Sequence, residues 1–151
     1  MGRMLTLRID DRLIHTQVVA GWIQALALDR IIVANDDAAG DPMQALTLEM
    51  ALPPGVSCRI CRVEDVAHQI QPTLRQMVIV ASLACASRVV THLPAITEIN
   101  LANCSQYHHK NECQQIAASV WLENEELALL EDLKQRGIMV VNSPSPPAKR
   151  K

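Results

Sequence analysis

Between Arg8 and Gln17 the chain reads Arg-Ile-Asp-Asp-Arg-Leu-Ile-His-Thr-Gln, which places two arginines, two aspartates and one histidine in a ten-residue stretch. Arginine supplies planar, permanently charged donor pairs that match the oxygens of a phosphate group. A neutral imidazole nitrogen is a nucleophile that attacks phosphorus near neutral pH. Asp10 or Asp11 adds a carboxylate able to orient either the imidazole or a guanidinium. This set suits the acceptance of a phosphoryl group on His15, with Arg8 and Arg12 countering its charge. A generic anion-binding loop would draw on the same residues. So would a solvated network of ion pairs, at little energetic consequence. No glycine-rich phosphate loop occurs in the chain, so the set comes without a nucleotide cradle. A phosphoryl group would then arrive from a protein donor, with no cofactor required.

These residues need elements to hold them. Met4–Ile9 is a short β-rich run that ends where the charged stretch begins. Thr16–Leu28 follows with Val18, Val19, Trp22, Ile23 and Leu26 on a helical period, so His15 falls just before a helix. Unpaired N–H groups at such a helix start favour a bound anion. The pattern then alternates. Strands are expected at Arg30–Ala34, Val56–Val63, Gln76–Ala81, Ile96–Leu101, Ala117–Leu122 and Ile138–Val141. Helices are expected from Asp41-Pro42 to about Leu52, over Glu64–Ile70, over Ala84–His92 and over Glu123–Arg136. The last would face Leu127, Leu130 and Leu133 inward and end at Gly137. Alternation of this kind predicts an α/β fold, an open and mostly parallel twisted sheet with helices on both faces. Ligands in such folds bind beyond the carboxyl ends of strands, which again points to the loop after the first strand. Residues 1–142 are taken as one domain and Ser143–Lys151, with three prolines and a Lys-Arg-Lys end, as a disordered, solvated tail.

Composition excludes several classes. Hydrophobic residues make up 49% of the 151 and charged residues 20%, with a net charge of -2, so no basic field points to nucleic acid. Aromatics are only 2%, which disfavours a base-stacking surface. No apolar run reaches membrane-spanning length and no signal peptide opens the chain, so a cytoplasmic location is expected. The five cysteines read as small apolar residues in a reducing compartment. Cys58 and Cys61 form a C-x-x-C, but on a strand residues three apart point to opposite faces and cannot share a metal. Cys104, His108, His109 and Cys113 lie in a polar stretch and match no standard ligand spacing, so no metal site is assigned.

The motif Arg8-Ile9-Asp10-Asp11-Arg12-Leu13-Ile14-His15, with Trp22 soon after, closely resembles the active loop of IIB components in the mannose/fructose/sorbose family of the phosphoenolpyruvate-dependent sugar phosphotransferase system. The likeness continues through Ile32–Asp37, Asp41-Pro42 to Met50, the Pro-Gly at Gly55 and Leu133–Gly137, covering roughly residues 4–142. The resemblance implies that His15 is transiently phosphorylated on Nδ1. It implies that Arg8 and Arg12 surround the phosphoryl group, that Asp10 orders the loop and that Ser82 stands near the site. It implies a IIA protein or domain as donor, membrane IIC and IID subunits as partners, a sugar as final acceptor and peripheral association with the transporter; homodimerisation is left open. The runs Val33–Asp37, Asp41-Pro42 and Gln114–Ala117 look closest to the N-acetylgalactosamine/galactosamine branch. The chain departs from the family in carrying Thr16 where glycine usually follows the histidine, and in lacking the usual glycines around Asn100–Asn103 and the Cys104–Cys113 stretch. Thr16 is expected to cap the following helix through its hydroxyl. The alternative left by these departures is a degenerate IIB-like module that docks on phosphotransferase partners without transferring phosphate.

Overall fold

A computed structural model describes residues 4–15, 18–105 and 112–146. The expected cap at Thr16 and the His108–His109 pair lie outside these residues.

The first strand, β1 (Leu5–Asp10), is followed by a helical segment that begins as a π turn at Val18–Trp22 and continues as α1 (Ile23–Leu26). Strand β2 (Arg30–Ala34) leads into a short helix α2 (Asp36–Ala39) and then α3 (Pro42–Met50). Asp41 caps α3 by accepting from the Met43 and Gln44 N–H groups, with proline in the first turn, as its sequence predicts. The α2 turn is not apparent from hydrophobic periodicity, because four residues are too few to show a period; its signal is the Asn35 side chain, which accepts from Ala38 N–H. Next come β3 (Ser57–Cys61), a 3₁₀ segment at Val63–Gln69 where an α-helix was expected, and β4 (Gln76–Val80). Helix α4 (Leu83–His92) and strand β5 (Glu98–Asn103) follow. The strand expected at Ala117–Leu122 is instead an antiparallel hairpin, β6 (Gln114–Ala117) and β7 (Val120–Leu122), in a two-stranded sheet of its own. Ala118 and Ser119 form the turn and break what looked like one apolar run. Helix α5 (Asn124–Gln135) and the edge strand β8 (Met139–Val141) complete the elements among the described residues.

Six strands form one sheet in the order β3-β2-β4-β1-β5-β8, and every pairing in it is parallel. Residues alternate between two cores, as the pleat requires. Leu7, Ile9, Ile32, Val78 and Val80 face a core closed by α4 and α5. Ile31, Val33, Met77 and Ile79 face a second core with Ile23 of α1 and Leu48 of α3. The α/β architecture with helices on both faces is therefore as the alternating pattern predicts.

The connections fix where a site can form. The chain leaving β1 passes to the second core, whereas the helices after its neighbours β4 and β5 pack on the first. Parting connections open a crevice beyond the carboxyl end of β1. The described part of the tail, Ser143–Pro146, departs from expectation, while its basic end at residues 147–151 lies outside the described residues. Ser143 N–H donates to Asn100 Oδ1 at 3.0 Å, Asn100 Nδ2 donates to the Ser143 carbonyl at 2.8 Å, and Pro144 lies against Arg8 and Trp22. Proline-rich composition suggested a solvated end; these partners come from β1, the helix after it and β5, distant in sequence, so composition could not reveal them.

Candidate functional site

Alternation along β1 buries Leu7 and Ile9 in the first core, so Arg8 and Asp10 share the opposite face. Both side chains are fully buried, and Arg8 Nη2 donates to Asp10 Oδ2 at 3.1 Å. Burying an ion costs several kcal/mol unless its partners are close and well directed. Here Asp10 is the hub that satisfies this condition. Its Oδ2 accepts from Arg8, from Asn103 Nδ2 at 3.0 Å and from His15 Nε2, while its Oδ1 accepts from the Arg12 backbone N–H at 3.0 Å. The Arg12 guanidinium stands 3.9 Å from the same oxygen with its side chain more than half exposed. Burial pushes the Arg8 pKa below its usual value, opposed by the Asp10 charge and hydrogen bond.

A tight turn returns His15 to Asp10. Leu13 N–H donates to the Asp10 carbonyl at 2.9 Å, and Leu13 takes a left-handed backbone conformation with φ of 56°. A branched residue there costs on the order of 1–3 kcal/mol and persists only where its surroundings impose it. The surroundings do so: Leu13 and Ile14 are both buried in the second core, which holds the strained turn closed. The far side of the loop is tied to β5, since Asp11 N–H donates to the Asn103 carbonyl at 3.1 Å and Asp11 Oδ2 accepts from Ser105 N–H at 2.8 Å.

Of the residues singled out from sequence, Arg8, Asp10, Arg12 and His15 are thus brought together. Ser82 is placed differently. It lies just beyond β4, whose Val80 pairs with Ile9, but its Oγ accepts from Cys85 N–H at 3.2 Å and caps α4. Asn103 escaped the sequence reading as a partner of Asp10; a buried polar residue at the carboxyl end of a strand beside β1 was its signal. Trp22 entered the sequence reading as part of the motif, without a role at the site, and Pro144 escaped it. Trp22 Nε1 and Arg8 Nη2 each donate to the Pro144 carbonyl at 3.1 Å, and the guanidinium carbon lies 6.0 Å from the Trp22 ring centroid.

The cysteine pair resolves as strand geometry predicts. Cys58 packs against the second core and Cys61 lies in the first, so they face opposite sides of β3. Burial pushes each thiol up to about 11.

Comparison with known proteins gives this geometry a family. The family model for the sorbose subfamily IIB component of the phosphotransferase system matches residues 4–148. The N-acetylgalactosamine-specific phosphotransferase enzyme IIB component 2 of Escherichia coli strain K12 is 31% identical over 150 residues, 98% of this chain and 96% of that protein. The fructose-specific EIIB component of Bacillus subtilis strain 168 is 29% identical over 91% of this chain and 85% of its own length. Among solved structures, an N-acetyl-galactosamine IIB component from Streptococcus pyogenes superposes with a TM-score of 0.87 at 23% identity, covering 97% of this chain and 91% of that one. The IIB domain of the sorbose permease from Klebsiella pneumoniae gives 0.84 at 23% identity, over 97% and 91%. The two superpositions bear on the fold, and the family model and sequence relatives on descent: this chain belongs to the sorbose subfamily of phosphotransferase-system IIB components.

Proposed function

We propose that Nδ1 of His15 accepts a phosphoryl group from a IIA phosphohistidine and passes it to a sugar. Family membership already makes the chain a phosphotransferase of the sugar uptake system; the proposal adds the atoms. The observation that carries it is the contact between His15 Nε2 and the buried Asp10 carboxylate. A carboxylate accepts from the protonated ring nitrogen, which fixes that tautomer and puts the nucleophilic lone pair on Nδ1. Attack forms the Nδ1–P bond as the donor's N–P bond breaks, and the donor imidazole leaves with the electron pair. The positive charge that develops on the His15 ring is countered by Asp10. Arg8 holds Asp10 in place, and Arg12, exposed at the rim, meets the phosphoryl oxygens. The Ser82 hydroxyl keeps its own O–H to donate while it accepts from Cys85. Little covalent chemistry is asked of the protein beyond this positioning and charge balance.

The final acceptor is an amino sugar of the N-acetylgalactosamine/galactosamine type, a reading supported by the name of the Escherichia coli relative. Its binding pocket belongs chiefly to membrane IIC and IID partners. Among the described residues no helix is long and apolar enough to cross a membrane, which fits a cytoplasmic protein that docks on the transporter.

The test is incubation with the general phosphotransferase proteins, a IIA protein and radiolabelled phosphoenolpyruvate. The native chain takes acid-labile label and His15→Ala, folded by circular dichroism, takes none. Label on His15→Ala at the native rate overturns the assignment.

A further inference from the structure

The segment Ser143–Pro146, beyond β8, is bound at four points, Asn100, Arg8, Trp22 and Gly21, to the face that carries Arg8. Asn100 and Ser143 exchange two hydrogen bonds, at 2.8 and 3.0 Å, which fasten its start to β5. The Pro144 carbonyl accepts from both Arg8 Nη2 and Trp22 Nε1. Pro146 then sits directly on Gly21: a Cβ built there would lie 2.7 Å from Pro146 Cδ and 2.9 Å from Cγ. The Cδ atom is bonded to the proline's own backbone nitrogen, so it has no side-chain freedom to move aside. A glycine in a helical segment loses stability relative to alanine. This one has a steric reason to be glycine, and that reason is the segment it receives.

From these contacts we propose that Ser143–Pro146 is a clamp that positions the Arg8 guanidinium, with Gly21, Trp22 and Asn100 as the positioning residues that seat it. Arg8 is a buried cation whose hydrogen bonds decide which way its fork points. Asp10 fixes it from the loop side and the Pro144 carbonyl from the other, so the guanidinium is held between the Asp10 carboxylate and the Ser143–Pro146 segment. The clamp acts on transfer through Arg8 and touches neither the donor protein nor the phosphoryl group. The inference rests on the role given to Arg8 and His15 above.

The experiment uses the full chain with three variants: Gly21→Ala, Gly21→Ala combined with Pro146→Gly, and Trp22→Phe. Phosphoryl acceptance from a phosphorylated IIA protein is followed over a range of donor concentrations, alongside the thermal midpoint. Gly21→Ala lowers kcat about tenfold, the scale of one lost charge-assisted hydrogen bond, with KM for the donor unchanged. Pro146→Gly removes the clashing ring carbons and restores kcat, which a general loss of helix packing at Gly21 would not allow. Trp22→Phe, lacking the indole donor, gives a smaller fall in kcat with the same unchanged KM. An unchanged or raised kcat in Gly21→Ala, or a loss that Pro146→Gly fails to restore, overturns the clamp. Hydrogen exchange of the Trp22 indole N–H reads the seating without reference to transfer: its protection is lost in Gly21→Ala and regained with Pro146→Gly. Should the native chain accept no phosphoryl group, the functional reading fails, and unaltered indole protection in Gly21→Ala separately overturns the clamp.

Discussion

On β1, Arg8 and Asp10 are two residues apart, share a face of the sheet and meet at 3.1 Å. On β3, Cys58 and Cys61 are three apart and enter different cores. Each pair looks chemically promising in sequence, and the pleat separates their fates because its period is two. The environments differ as well. At the end of β1, ions are buried and each is answered by a directed partner. On β3 the thiols are packed among apolar side chains, where burial keeps them protonated. Reactive residue types become a site where strand parity, a turn and neighbouring strands converge on one atom, and Asp10 is that atom's residue here.

The comparison breaks if disturbing the hub costs no more than disturbing a thiol. Asp10→Asn is the largest effect we expect. It leaves Arg8 buried without its counter-charge, and breaking a buried pair in this way typically costs about 3–5 kcal/mol. It also lets the amide present either an N–H or an oxygen to His15, so the tautomer is no longer fixed, and phosphoryl acceptance should fall at least about a hundredfold. Denaturant unfolding and a labelling time course measure the two effects. If both stay within the range found for Cys58→Ser, the convergence at Asp10 has no functional weight.

Arg12 sharpens the same contrast from the exposed side. Its side chain is more than half exposed and 3.9 Å from Asp10, so its loss should change stability by no more than about 0.5 kcal/mol. The contact proposed between its guanidinium and the phosphoryl oxygens would be charge-assisted, and Arg12→Ala should slow acceptance roughly tenfold, the lower end of that class because solvent screens it. A variant that unfolds easily but transfers at the native rate would show that Arg12 serves the loop alone.

How far the sequence could be read follows from the range of each interaction. Strands β2 and β4 stand out because buried parallel strands are continuous apolar runs, and the start of α3 is marked by Asp41-Pro42 within the segment itself. Arg8, Asp10, Arg12 and His15 could be singled out for the same reason, since one loop holds all four. Three things lay beyond local reading. The hairpin β6–β7 has a turn of Ala118 and Ser119, which carries no glycine or asparagine to announce it. The left-handed conformation of Leu13 has no local signal at all, because it is enforced by burial of Leu13 and Ile14. Asn103 and Pro144 reach the site from 93 and 136 residues away, and only the strand order brings them there.

The smallest effect we expect concerns the other side of the comparison, the buried thiols. Cys58 and Cys61 ionise at about 11 and Cys104 at about 12, in each case chiefly because burial penalises the thiolate. At pH 8 such a thiol is ionised to only about one part in a thousand at a pKa of 11 and about one in ten thousand at 12, and alkylation requires the thiolate. These three should therefore resist iodoacetamide at pH 8 in the folded chain and react promptly in denaturant, as located by peptide mass spectrometry. The linkage has a definite sign. A thiol whose folded pKa lies above the unfolded value of 9.0 contributes stability that is fully present below pH 9. That contribution is lost as pH rises from 9 through 11 to 12. The unfolding midpoint should thus fall on that alkaline side, and Cys61→Ala, which removes one of the three groups, should make the fall shallower even though it starts from a lower stability at pH 8. Equal slopes in the two proteins, or rapid labelling of Cys58 at pH 8, would place a reactive thiolate on β3 and erase the distinction between a strand that gathers chemistry and one that buries it.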